Sequence, residues 1–182
     1  MIRIMLIAGA AVSALAGSAS LAGTDRYRDT ETQMSVVQNL DVDRYMGTWY
    51  EIARFPNRFE QGCEGVTADY ARTGDGEISV INTCRKGAPD GPIERAEGEA
   101  EVVAPGRLKV SFVPWLPFAR GDYWVLHIDP AYSVAVVGEP SGKTGWILAR
   151  SPQISSAKRA EAEAELERNG YDPTQLRDVA HR

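Results

Sequence analysis

The chain has few residues that could hold a metal. It contains two cysteines, Cys63 and Cys84, and two histidines, His127 and His181, and no CxxC pair. A structural zinc site needs four such ligands, usually in close pairs, so a metal-binding reading is weak. A basic cluster is also missing, and the formal net charge is −5. That excess of acid argues against nucleic acid as a partner and against charge-driven binding to anionic membranes. No Gly-x-Ser-x-Gly stretch is present, and no Ser/His/Asp set can be argued for an esterase-like nucleophile. No apolar run is long enough for a good transmembrane anchor.

The first residues, MIRIMLIAGAAVSALAGSASLAG, carry one early arginine, a short apolar run and then small residues. This pattern reads as a secretory signal peptide over 1–22, cleaved after Ala22 in Ser20-Leu21-Ala22. Loss of Arg3 takes the formal charge from −5 to −6. The residue after SLAG is Thr24, where a bacterial lipoprotein would need a cysteine, so nothing there can be acylated. The expectation is a soluble periplasmic or secreted protein. In that compartment an even cysteine count reads as one disulfide, Cys63–Cys84. Closing a loop of about twenty residues would stabilise the fold by about 3 kcal/mol.

Residues 23–38 are polar and aperiodic and read as a loosely held segment. Beyond them come short strand-like runs at regular spacing: WYEIARF, GVTADYART, EISVINTC, IERAEGEAEVV, LKVSFV, DYWVLHI, SVAVVGE and GWILAR. Turn signals separate them, among them GDG, APGR, DPAY and PSGKT. No helix between them is long enough for a parallel crossover, so the strands form an antiparallel meander. Only after Pro152 does the period become helical, over ISSAKRAEAEAELERNGYD. Ser155 or Ser156 caps its start, and Gly170 stands at C′. Ile154, Ala157, Ala160 and Ala164 would give its weakly apolar side, and Leu176 and Val179 would return to the sheet edge. Eight antiparallel strands with one helix allow a closed barrel or a two-sheet sandwich, and the meander order favours the closed up-and-down barrel, all-β. Such a barrel has room for side chains or one small ligand.

GTWY on the first strand, DPAY between the sixth and seventh, and WILAR on the eighth resemble the three motif regions of the lipocalins. The longer phrases YMGTWYEIARFPNRFEQGC, LKVSF, VVGEPS and WILARSP are similar to the bacterial outer-membrane lipocalins, the group akin to apolipoprotein D. The resemblance covers about residues 38–180 and makes 39–182 one lipocalin domain. It implies a calyx, an eight-stranded barrel open at one end with the one C-terminal helix packed outside. Gly47 would allow the tight chain entry. Trp49 would plug the floor, with Arg150 stacked over it for about 1–2 kcal/mol. Asp129 and Tyr132 would be turn residues of the closed end.

Function should then reside in the lumen. The resemblance points to Glu60, Tyr123 and Trp146 as the polar part of the pocket. Strand parity adds Phe55, Val80, Val110, Phe112 and Val136 as apolar lining. Glu51 lies on the face of Trp49 and Phe55, where its partner is an open question, while Tyr50 and Ile52 face out toward the helix. Trp115, Leu116 and Phe118 would form an apolar rim, an entry surface or weak membrane contact over 114–119. The expected ligand is a fatty acid or lysophospholipid, with no cofactor and no enzymatic activity. A lumen enzyme and a haem or tetrapyrrole carrier are rivals: His127 shares the nominal parity of Tyr123 and could point inward as an acid/base, and haem would want a ligating histidine there. An envelope structural protein is a further rival.

Overall fold

A computed structural model describes residues 26–74, 76–116 and 118–182. The signal-peptide reading, with its cleavage site, lies outside these residues, as do Asp75 of the GDG turn and Pro117 of the apolar loop. A short helix α1, Val42–Tyr45, is capped by the Asp41 carboxylate. Eight strands follow: β1 Gly47–Arg54, β2 Cys63–Arg72, β3 Ile78–Lys86, β4 Ile93–Ala104, β5 Arg107–Ser111, β6 Gly121–Ile128, β7 Val134–Gly138 and β8 Gly145–Ala149. Helix α2, Ser156–Arg168, and a last short strand β9, Arg177–Asp178, complete the chain. Successive strands pair antiparallel, β8 pairs with β1, and β1 pairs with β2, so the sheet closes into a barrel without free edges.

The barrel wall separates two apolar clusters. Inside lie Trp49, Tyr70, Ile78, Val80, Leu108, Val125, Val137 and Leu148. Outside, packed with Leu166 of α2, lie Ile52, Phe55, Leu126, Val136 and Ile147. Ser155 caps α2 by accepting from the Lys158 amide at 3.3 Å, and Gly170 takes the left-handed φ of 85° that ends it. The buried helix residues are Ala162 and Leu166, one turn apart. Of the expected small-residue side, Ala157 and Ala160 are exposed and Ala164 is half-buried. The large Leu166 offers the most apolar area, so the helix rolls to bury it.

Two β-bulges reverse the expected side-chain parity. In β1 the register against β8 shifts between Glu51 and Ala53. One added residue turns the rest of the strand over. Trp49, Glu51 and Arg54 therefore point inward, and Ala53 and Phe55 point outward. Phe55 is thus not lumen lining: it stacks between Tyr27 and Tyr171, each centroid 5.0 Å away. In β6 the register against β7 shifts between Val125 and His127. His127 then faces α2, 3.9 Å from Glu161 and 4.0 Å from Glu165. Val136 also faces the helix. Its strand is apolar on both faces, so period two carried no direction, and pairing with Ile147 sets it outward.

The segment 26–38 is held on the barrel, not loose. Arg28 is buried and donates to the carbonyls of Asn169, Pro140 and Thr32. The Ser35 amide donates to Asn169 Oδ1 at 2.8 Å, and the Val37 amide to the Val125 carbonyl at 2.9 Å. These long-range backbone bonds have no local sequence period, so the segment reads as unstructured when taken alone. At the other terminus β9 pairs with Ala53 and Arg54, as the sequence suggested for this region. The tail then bridges the seam between β1 and β2: the Val179 amide donates to Ile52 O at 3.0 Å, and the Gly65 amide donates to Ala180 O at 2.8 Å.

Candidate ligand site in the barrel

The floor is closed by one packed unit. Gly47 enters β1 at φ 93°, a conformation that favours glycine. Trp49 is fully buried and donates through Nε1 to Tyr45 O at 2.8 Å. The Arg150 guanidinium lies 3.8 Å over the Trp49 ring and donates to the carbonyls of Thr48, Arg44, Tyr45 and Met46 at 2.7–3.1 Å. Arg150 thereby satisfies the last carbonyls of α1, a role usually left to water. Tyr132 takes a positive φ of 57°, accepts from the Asp41 amide at 2.9 Å and lies beneath Arg44 at 3.9 Å. Asp129 accepts from Ser133, Val134 and Lys158. Burial works against its charge, but the bonds from Ser133, Val134 and Lys158 outweigh it and bring the carboxyl down to about 2.

Higher in the barrel the inner wall turns polar. Glu51 is 4 % exposed and Arg54 is 1 % exposed. Their ion pair is 2.5 Å long, and Arg54 also donates to the carbonyls of Glu60 at 3.0 Å and Cys63 at 2.8 Å. Burial pushes the Glu51 carboxyl well above its usual range, and the neighbouring Glu60 adds to the rise, while Arg54 opposes it. Glu60 reaches inward because Asn57 shapes its loop: Asn57 Oδ1 accepts from the amides of Phe59 at 3.0 Å and Glu60 at 3.1 Å, and its Nδ2 meets the Glu60 carboxylate. Trp146 Nε1 donates to Glu60 at 3.1 Å. Below them Tyr123 meets the hydroxyls of Tyr45 at 2.7 Å and Tyr70 at 3.0 Å, and its ring lies 6.4 Å from that of Trp146. Burial raises all three tyrosines above their ordinary value, Tyr70 to about 12.

The structure therefore brings Glu60, Tyr123 and Trp146 together. Val80 and Val110 line the inner cluster. Phe112 lies against Gly98 of the inner face of β4 and is 39 % exposed. The sequence reading missed Arg54, Tyr45 and Tyr70. For Arg54 no local signal existed, because in a regular strand positions 51 and 54 face opposite ways. It also missed Asn82, placed inward by the alternation of β3, whose buried Oδ1 accepts no hydrogen bond among the described residues. The disulfide Cys63–Cys84, with Cα atoms 5.2 Å apart, joins the start of β2 to β3 beside this cluster. Both histidines lie outside the lumen: His127 faces α2, and His181 packs edge-on against Tyr50 with a 2.7 Å contact to Glu51 O.

Comparison with known proteins agrees with this geometry. The family model of the lipocalin-like domain matches residues 40–181. The outer membrane lipoprotein Blc of Escherichia coli is 46 % identical over 144 residues, 76 % of this chain and 78 % of that protein. Apolipoprotein D of Macaca fascicularis is 34 % identical over 155 residues, 80 % of this chain and 79 % of the relative. Among solved structures, the cockroach allergen Per a 4 superposes with a TM-score of 0.65 at 18 % identity, covering 85 % of this chain and 97 % of its own, which bears on the fold alone. With its closed barrel, its Trp49–Arg150 floor and these matches, the chain belongs to the lipocalin family, whose members bind small hydrophobic ligands.

Proposed function

We propose that the barrel carries a single-chain amphipathic lipid, a fatty acid or lysophospholipid, and that it is a carrier and not an enzyme. The observation that carries the reading is the order of environments along the inner wall. An apolar section with Val80, Val110, Val137 and Leu148 sits beneath the buried Glu51–Arg54 pair and the half-buried Glu60 carboxylate beside it. An acyl chain in the apolar section gains about 0.8 kcal/mol per buried CH₂. The charged cluster has one negative charge in excess when both acids are ionised. It favours a head group bearing an ammonium, or a protonated acid, over a free carboxylate. Asn82 Oδ1 offers such a head group a further acceptor. The disulfide and the apolar N-terminal run support action in the envelope or outside the cell. The inward histidine that would have favoured a haem carrier or a lumen enzyme is not supplied by His127, which faces α2. Delipidated protein titrated with a fluorescent acyl probe tests the proposal. Displacement by lysophospholipid at micromolar concentration is expected, and no displacement by either lipid class would refute it.

A further inference from the structure

Large apolar side chains stand bare at the mouth, on two opposite sides. In the ring of eight strands the β1–β2 and β5–β6 connections are four strands apart, so they flank the opening across its width. The first presents Phe59, 73 % exposed; the second presents Trp115, 74 % exposed, and Phe118, 83 % exposed. Isolated exposed apolar residues are ordinary, but aromatic tips gathered around one opening mark an interaction surface.

The charge at this end decides the partner. The chain as a whole carries −5, but its acids are not at the rim tips. Arg58 lies 4.7 Å over the Phe59 ring, and Lys143 is exposed on the β7–β8 connection. Arg120 follows the second tip and pairs with Glu101 at 2.5 Å. Of the acids on the same connections, Glu60 turns inward to Trp146, and Glu139 is occupied by the Ser141 side chain and the amides of Ser141 and Lys143. Asp90 alone among them is exposed without such bonds among the described residues. Aromatic tips flanked by cations match the layered chemistry of a phospholipid surface, apolar beneath phosphate.

We propose that the mouth docks on a phospholipid bilayer, with Phe59, Trp115 and Phe118 inserted at the interface and Arg58 and Lys143 at lipid phosphates. The lumen then opens onto the membrane, and lipid passes without crossing bulk water. The surface is distinct from the lumen site and does not depend on which lipid fills it.

Co-sedimentation with vesicles of phosphatidylcholine alone, and of phosphatidylcholine mixed with phosphatidylglycerol, tests the proposal. The full chain is expected to bind both, and the mixed vesicles more tightly. Phe59→Ser and the pair Trp115→Ser/Phe118→Ser should each lower vesicle affinity about tenfold or more. Arg58→Glu/Lys143→Glu should remove the gain from phosphatidylglycerol. Acyl-probe binding in solution should be unchanged in these variants, which separates a failure here from a failure of the lumen reading. Full-length protein that stays in the supernatant with both vesicles overturns the proposal, as does equal sedimentation of the triple aromatic variant. Concentration-dependent dimerisation that the triple variant abolishes also overturns it, by assigning the surface to a second copy.

Discussion

At the floor of the barrel an arginine lies 3.8 Å over a tryptophan, and at the mouth another lies 4.7 Å over a phenylalanine. The two pairs share their chemistry and differ in everything around them. Trp49 is fully buried and Arg150 is half-buried, its guanidinium engaged with four backbone carbonyls. Arg58 and Phe59 stand in solvent. A cation–π contact gains strength when water is excluded, so the floor pair stabilises the fold and the mouth pair contributes little to it. The mouth pair is available for a partner. Between them Arg54 is almost fully buried, yet it is tied to a carboxylate whose own charge is strained by burial. The floor is closed by packing and backbone hydrogen bonds, whereas the charged groups that face the lumen lie in the upper part.

That contrast can be broken most severely at Arg54. Arg54→Ala leaves the Glu51 carboxylate buried without its cation and should cost about 3–5 kcal/mol in denaturant unfolding near neutral pH. The sign with pH follows from Glu51, whose folded pKa is raised. Its deficit should grow as pH rises above its unfolded value and shrink as pH falls toward it, where the folded protein keeps the proton. A flat pH dependence would mean that Glu51 is not the residue left stranded.

Next in size is the disulfide. Cys63→Ser/Cys84→Ser should lower stability by about 3 kcal/mol, while acyl-probe affinity stays within a few-fold. A selective loss of affinity would instead make the bond part of the site.

At the floor, Arg150→Lys keeps the charge but loses the planar fork. A loss of about 1–2 kcal/mol is expected in thermal or chemical unfolding, with ligand affinity unchanged. The smallest effect lies in acid. The folded pKa of Asp129 is depressed to about 2. Its contribution is present above the ordinary carboxylate range and is lost as pH falls from about 4 toward 2. Asp129→Asn should flatten that part of the acid-unfolding curve.

Much of the architecture was legible because it rests on local signals. Turn residues and period two marked all eight strands, and the change of period marked α2. The motif residues Trp49 and Arg150 meet as the lipocalin resemblance implied. What period two misplaced was the direction of particular side chains. Phe55 and His127 were assigned inward by counting, and each lies just beyond a bulge that counting cannot see. The segment 26–38 was misjudged for a related reason. Its partners, Asn169 and Val125 among them, are distant in sequence.

Composition and pattern alone determined an antiparallel meander of eight strands followed by one helix, since those follow from alternation, turns and the absence of crossover helices. Tertiary structure alone decided what the upper lumen is. A single inserted residue in β1 puts Glu51 and Arg54 on the same face, and the asparagine-shaped loop brings Glu60 to them. A strand's register is a property of its neighbours, so the charged cluster of the candidate site could not be read from any one stretch of sequence.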